Sequence, residues 1–292
     1  MKYNYNEEIK KLRIMKFKFN RLTIFLSNFF LSIIPKKIKS DKLINVKTIK
    51  IQLSNYKIKV YMFSPVNKSK ASMIYFHGGG FYLKGAPYHY SLCKEYANDA
   101  NINVFYVDYK LAPKYKYPTQ ILDGVEIYKY IVNHSNELNI SNDLIGIGRD
   151  SAGANIALNV TKELEKQNLK LKYQMLIYPV IENIETESMK KYTNTPMWNS
   201  KLNEQMWKYY IGSIRNDSVF NCKLYAPTFI ETCEYDPLHD EGIMYYEYLK
   251  KFNSDVYLNE TFKTMHGYDI LYKTILAKNS INKRIEFIKK YK

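Results

Sequence analysis

Cysteine is scarce in this chain, and what there is lies far apart: Cys93, Cys222 and Cys233. Three widely spaced thiols exclude a disulfide framework and fit a reducing compartment, so a cytoplasmic location is expected. Histidine is also sparse, with five scattered residues and no C-x-x-C or H-E-x-x-H spacing. No metal site is therefore expected, and no cofactor is called for. Acidic residues are outnumbered, 28 Asp+Glu against 44 Lys+Arg, a formal charge of +16. The lysines are single or paired, without a long run, a zinc-finger spacing or an RNA-binding aromatic signature. The charge reads as solvated surface, and no nucleic-acid partner is expected.

Long apolar runs are missing too. The longest candidate, Leu22–Ile34, stops at Pro35 and is shorter than a bilayer-spanning helix requires. It follows a basic stretch, as a signal-peptide core would, but no small-residue cleavage site comes after it. Two readings remain: an amphipathic helix lying over the domain or its pocket, or a membrane-surface contact through residues 15–34. Ser27, Asn28 and Ser32 interrupt the apolar face and favour the capping helix.

With 292 residues, 46% of them hydrophobic, the chain can bury a large core. From about residue 45 short β runs alternate with helical spacing. VKTIKIQL (46–53) and YKIKVYMFSP (56–65), joined by Ser54-Asn55, predict an antiparallel pair. Apolar strands are expected at 72–80, 102–110, 144–148, 173–180, 227–236 and 255–262. Helices are expected at about 88–100, 119–132, 152–167 and 239–252 and at the C-terminus. This pattern predicts an α/β fold with a mostly parallel central sheet covered by helices on both faces. Residues 183–222 break the alternation, and the aromatic-rich segment 194–212 reads as a helical insertion above the sheet.

A serine hydroxyl attacks only when a base takes its proton and a third group orients that base. The carbonyl under attack also needs N–H donors for its developing oxyanion. Ser151 sits at a strand-to-helix junction, with the N–H of Ala152 at the positive end of the helix. His77-Gly78-Gly79-Gly80-Phe81 ends an upstream strand, where successive glycines allow close backbone approach. Asp236 ends the strand at 227–236, and His266 follows the last strand. The order Ser, Asp, His and the placement at strand ends match what α/β-hydrolases require.

The quoted motifs YFHGGGF (75–81), DYKLAPKYKYP (108–118), DSAGAN (150–155), YPV (178–180), ETCEYDPLHDEG (231–242) and MHGY (265–268) carry a resemblance. Over about residues 71–270 the chain resembles the hormone-sensitive-lipase-like, HGGG-motif family of α/β-hydrolases, which are carboxylesterases and lipases. The resemblance implies the α/β-hydrolase fold with a helical cap. It implies Ser151 as nucleophile, His266 as general base and acid, and Asp236 as orienting carboxylate. It further implies an oxyanion hole from the N–H groups of Gly79, Gly80 and Ala152, supported by motif residues His77, Gly78, Asp150 and Gly153. His77 would brace the glycine loop. Residues 1–44 would form an N-terminal cap segment. Residues 45–292 would be the hydrolase domain, with the cap insertion at about 183–222. Phe81, Tyr82, Trp198, Met206, Trp207 and Tyr210 would line an apolar pocket for a small-molecule ester of short to medium acyl length.

Bland readings exist for each residue. Ser151 alone would pass for a helix N-cap, Asp236 for a turn residue before Pro237, and His266 for a loop histidine. His89, His134 and His239 lack a comparable context and are assigned no role. The same atoms would also serve a deacetylase of acetylated sugars or natural products. A non-catalytic binding protein on the same scaffold would have lost a triad member, whereas all three candidates are present. Arg149 departs from the elbow pattern G-x-S-x-G, which has glycine two residues before the serine. Its side chain must escape sideways or push the turn open, and could attract Asp236 or an anionic substrate. Positive φ is not expected there, the strain being assigned to the serine itself.

Overall fold

The computed structural model describes residues 3–34, 38–211, 218–253 and 255–292. Parts of the expected N-terminal segment (1–2, 35–37) and of the expected insertion (212–217) lie outside the described residues. In chain order the elements are α1 (Arg21–Ile33), β1 (Ile44–Gln52), β2 (Lys57–Pro65), β3 (Ser72–Phe76), α2 (Pro87–Asp99), β4 (Asn103–Asp108) and α3 (Thr119–Asn133). After these come α4 (Ser135–Leu138), β5 (Ile145–Asp150), α5 (Ala152–Lys166), β6 (Tyr173–Ile177), α6 (Glu187–Lys191) and α7 (Ser200–Tyr210). The last are β7 (Thr228–Tyr235), α8 (His239–Lys250), β8 (Val256–Met265) and α9 (Ile275–Tyr291).

The strands form one eight-stranded sheet in the order β1-β2-β4-β3-β5-β6-β7-β8. β2 runs antiparallel to both β1 and β4, and the other neighbours are parallel. The central strands are buried on both faces because period-two side chains feed two cores. Ile74 and Phe76 of β3 join Ile147 of β5, Ile127 of α3 and Ile156 of α5 on one face. Met73 and Tyr75 join Tyr96 of α2 and Ile281 and Ile288 of α9 on the other. The antiparallel pair and the mostly parallel, helix-covered sheet are as the alternation predicts.

Two differences bear on the site. β5 runs two residues beyond the apolar stretch, through Arg149 and Asp150, whose polar side chains hide their strand pairing with β6. Among the described residues of 194–212 only α7 is helical, beginning at Ser200 because Asn199 caps it by accepting from the Leu202 N–H at 3.2 Å.

Candidate active site

The carboxyl ends of the parallel strands bring three distant side chains together. Ser151 lies between β5 and α5 with φ 55° and ψ −122°. This left-handed turn costs a non-glycine residue energy and lifts the hydroxyl out of the sheet. Its N–H donates to the Ile177 carbonyl at 2.9 Å, while its own carbonyl accepts from Ala154 and Asn155. The sharp turn is thereby tied to β6 and to the first turn of α5. His266 Nε2 stands 2.9 Å from Ser151 Oγ, and His266 Nδ1 stands 2.7 Å from Asp236 Oδ2. Asp236 is fully buried, and its other oxygen accepts from the Leu238 N–H at 3.0 Å. The serine and histidine are each less than a tenth exposed. Trp198 lies against the imidazole at 5.8 Å, and the Tyr178 ring meets it edge-on at 4.8 Å.

The glycine loop sits beside the serine. Gly79 and Gly80 take φ of +128° and +59°, a backbone that side chains rarely adopt. A Cβ on Gly78 would come within 2.2 Å of Asp150 Oδ2, so only glycine lets the loop lie on the elbow. Gly153 is equally confined, since a Cβ there would sit 2.1 Å from the Phe76 carbonyl. His77 is buried, with Nδ1 2.7 Å from the Gly78 carbonyl and its ring stacked on Tyr109 at 4.3 Å. Tyr109 donates to the His77 carbonyl at 2.8 Å. Ala152 is the first residue of α5, where the first-turn N–H groups lack helical partners.

Arg149 solves its packing problem in a way that corrects the expectation of ordinary backbone there. Its φ is +139°, so the glycine preference at this position does have a backbone component. Ile145 and Ile147 point toward α5, and continued alternation would send Arg149 the same way. The turned backbone instead directs the side chain to the opposite face, where its guanidinium carbon lies 5.7 Å from the Tyr75 ring and 6.0 Å from Tyr96. Its Nη2 donates to Asp269 Oδ2 at 2.9 Å, and Nη1 lies 3.6 Å from Asp150. Asp269 also accepts from Arg284 Nη1 at 2.7 Å and from the Tyr178 hydroxyl. Arg284 reaches Glu231 through both Nε and Nη2. The Arg149 cation is thus committed to Asp269, not to Asp236.

Burial opposes ionisation of Asp269, but Arg149 and Arg284 outweigh it and hold the carboxyl below its ordinary range. Asp150 is held low likewise, with Arg149, His89 and His77 outweighing burial. This buried network was not legible beforehand. Asp269, only three residues after His266, is the one sequence signal that could have pointed to it.

A cavity of about 390 Å³ opens over Ser151 and His266. Of the six expected pocket residues only Trp198 lines it. Phe81, Tyr82, Met206, Trp207 and Tyr210 are instead packed into the core. Phe81 stacks on Tyr210 at 3.6 Å, which pins α7 to the glycine loop. The aromatic wall comes from Phe17, Phe19, Phe30, Tyr88 and Tyr178. His89, given no role from sequence, also lines the cavity, and its Nε2 lies 3.4 Å from Asp150 Oδ2.

Residues 73–270 match the model of an alpha/beta hydrolase fold family. An ethyl acetate hydrolase from Pseudomonas putida is 28% identical over 199 residues, covering 62% of this chain and 60% of that relative. The match thus spans less than two thirds of its length. A carboxylesterase, NlhH, from Mycobacterium tuberculosis is 28% identical over 230 residues, covering 74% of this chain and 72% of its own. Among solved structures, esterase LipW from Mycobacterium marinum superposes with a TM-score of 0.88 at 19% identity, covering 99% of this chain and 96% of that one. The family match covers most of the chain and contains all three convergent side chains. The chain belongs to the α/β-hydrolase family, in its hormone-sensitive-lipase-like branch.

Proposed function

We propose that the protein is a serine carboxylic-ester hydrolase acting on small, mostly apolar esters of short to medium acyl length. The observation that carries this is the continuous hydrogen-bond chain Ser151–His266–Asp236 at the floor of an apolar cavity. Relatives named ethyl acetate hydrolase and carboxylesterase support the same bond class.

His266 Nε2 takes the Ser151 proton as Oγ attacks the ester carbonyl, and Asp236 holds Nδ1–H so that the imidazolium is stabilised. The N–H groups of Gly79, Gly80 and Ala152 receive the developing oxyanion, with donors already fixed before the reaction begins. The tetrahedral intermediate collapses as His266 returns the proton to the leaving alcohol, and Ser151 carries the acyl group. Water then attacks by the same route, His266 again acting as base, and the acid departs. His77 supports the loop through its contacts to Gly78 and Tyr109 and moves no proton. The described residues of 1–44 and 183–222 act as the cap: Phe17, Phe19, Phe30 and Trp198 from these segments supply much of the cavity wall.

Hydrolysis of p-nitrophenyl esters from acetate to decanoate tests the proposal. The Ser151→Ala variant should lose about 10⁵- to 10⁶-fold in kcat while remaining folded. Absence of turnover by the parent protein, or turnover indifferent to that substitution, would refute it.

A further inference from the structure

Helix α1 is amphipathic in the unexpected sense. Its inward side is made by Ile24, which is buried, and by Asn28, whose side chain donates to the Tyr82 carbonyl and accepts from the Lys84 N–H, both at 2.8 Å. Its outward side is apolar: Leu22, Phe25, Leu26, Phe29, Phe30 and Ile33 are each between 43% and 66% exposed. At 100° per residue these six side chains fall on one continuous arc opposite Ile24. A monomer in water gains nothing from such a stripe.

The surroundings say what covers it. Residues 9–40 contain nine Lys and Arg and no Asp or Glu. A shallow groove shares Arg21, Ile24, Phe25 and Asn28 with the helix, and the rest of its lining includes Lys84, Lys110, Lys114, Lys116 and Lys208 against one carboxylate, Asp108. Lys114, Lys116 and Lys208 are exposed. An apolar stripe bordered by cations complements an anionic lipid surface, where apolar rings enter the acyl boundary and cations meet the headgroups. A second copy of the same cationic face would be repelled. No helix among the described residues is long and apolar enough to cross a membrane, so the contact would be peripheral.

We infer that the outward face of α1, with its flanking cations, docks this protein on anionic lipid bilayers. The same helix lines the reaction cavity through Ser27 and Leu31 of its inner side and through Phe30, which stands at the edge of the outward arc. Docking therefore places the cavity mouth against the lipid, and the substrates reached this way are esters partitioned into that interface. This consequence rests on the proposed esterase reading, whereas the docking itself does not.

The test is cosedimentation of the full chain with vesicles of phosphatidylcholine or of an equal phosphatidylcholine–phosphatidylserine mixture. Binding should be at least about tenfold tighter to the mixed vesicles and weaken at high salt. Phe25→Ser with Phe29→Ser, two side chains outside the cavity wall, should weaken it about thirtyfold. The same pair should leave hydrolysis of dissolved p-nitrophenyl acetate unchanged and slow hydrolysis of p-nitrophenyl decanoate held in mixed vesicles. The Ser151→Ala protein should bind vesicles like its parent, so an inactive enzyme would not disturb the docking result. Equal binding to both vesicle types, or binding indifferent to the double substitution, would overturn the inference. So would concentration-dependent self-association abolished by that substitution, since a second copy would then be the occupant.

Discussion

Replacing Arg149 with glycine sets two opposing effects of one residue against each other. The parent backbone holds φ at +139°, which costs a side-chain-bearing residue roughly 1–3 kcal/mol and costs glycine little. The side chain, however, is fully buried and supplies Asp269 with one of its two cations and Asp150 with its nearest guanidinium. Removing one partner of a buried ion pair costs about 3–5 kcal/mol, because the remaining charge is left without compensation. Arg284 still holds Asp269 at 2.7 Å, which keeps the loss below the high end, at about 4 kcal/mol. The balance is a net destabilisation of about 2 kcal/mol for Arg149→Gly. Arg149→Met retains the strained φ without the charge and should lose about 4 kcal/mol, by the same two magnitudes. Urea unfolding followed by tryptophan fluorescence gives both values. The expected order of stability is parent, then glycine, then methionine. A glycine variant more stable than the parent would refute the reasoning, because strain would then outweigh the ion pairs.

Acid unfolding reads the same network. Asp150 and Asp269 have pKa values lowered in the folded protein, so their stabilisation is present above the ordinary carboxyl range and is lost as pH falls below it. Arg149→Gly removes a cause of both depressions, and its acid-unfolding midpoint should move to higher pH; an unchanged midpoint would contradict the assignment. Glu241 behaves oppositely: burial pushes its carboxyl well above the ordinary range, despite backbone N–H donors such as that of Glu182. Its contribution is present at low pH and lost as pH rises toward that raised value, so the stability of Glu241→Gln relative to the parent should grow with pH. A difference that stays flat across pH would count against it. Asp236→Asn should keep the fold and lower kcat by about 10⁴, since the amide cannot hold the imidazole in its working tautomer. A loss below about tenfold would remove Asp236 from the proton relay.

The sheet was legible because its strands are short, apolar and separated by helical spacing, and each motif residue sits at a strand end. Ser151, Asp236 and His266 were readable as one group from their order and flanking residues, although they are separated by up to 115 positions. The Arg149–Asp269 pair spans 120 positions and no local pattern announces it. Its backbone turn follows from where the guanidinium finds partners, and those partners come from the segment after β8 (Asp269) and from β3 and α2 (Tyr75 and Tyr96). The pocket wall escaped for a related reason. Aromatic residues at helical spacing, such as Trp207 and Tyr210, satisfy an interior as well as a cavity, and packing against Phe81 drew them inward. The actual wall draws on Phe17 and Phe19, in an irregular stretch whose course is set by tertiary contacts such as Gln205 to the Phe19 carbonyl.

Covalent capture of the hydroxyl tests the central claim most directly. Diethyl p-nitrophenyl phosphate, which phosphorylates a serine made nucleophilic by a neighbouring base far faster than an ordinary hydroxyl, is incubated with the protein and the adduct is located by peptide mass spectrometry. One diethylphosphoryl group on Ser151, absent from Ser151→Ala and greatly slowed in His266→Ala, is the predicted result. Stoichiometric modification at another residue, or none under conditions where the parent hydrolyses esters, would contradict the account.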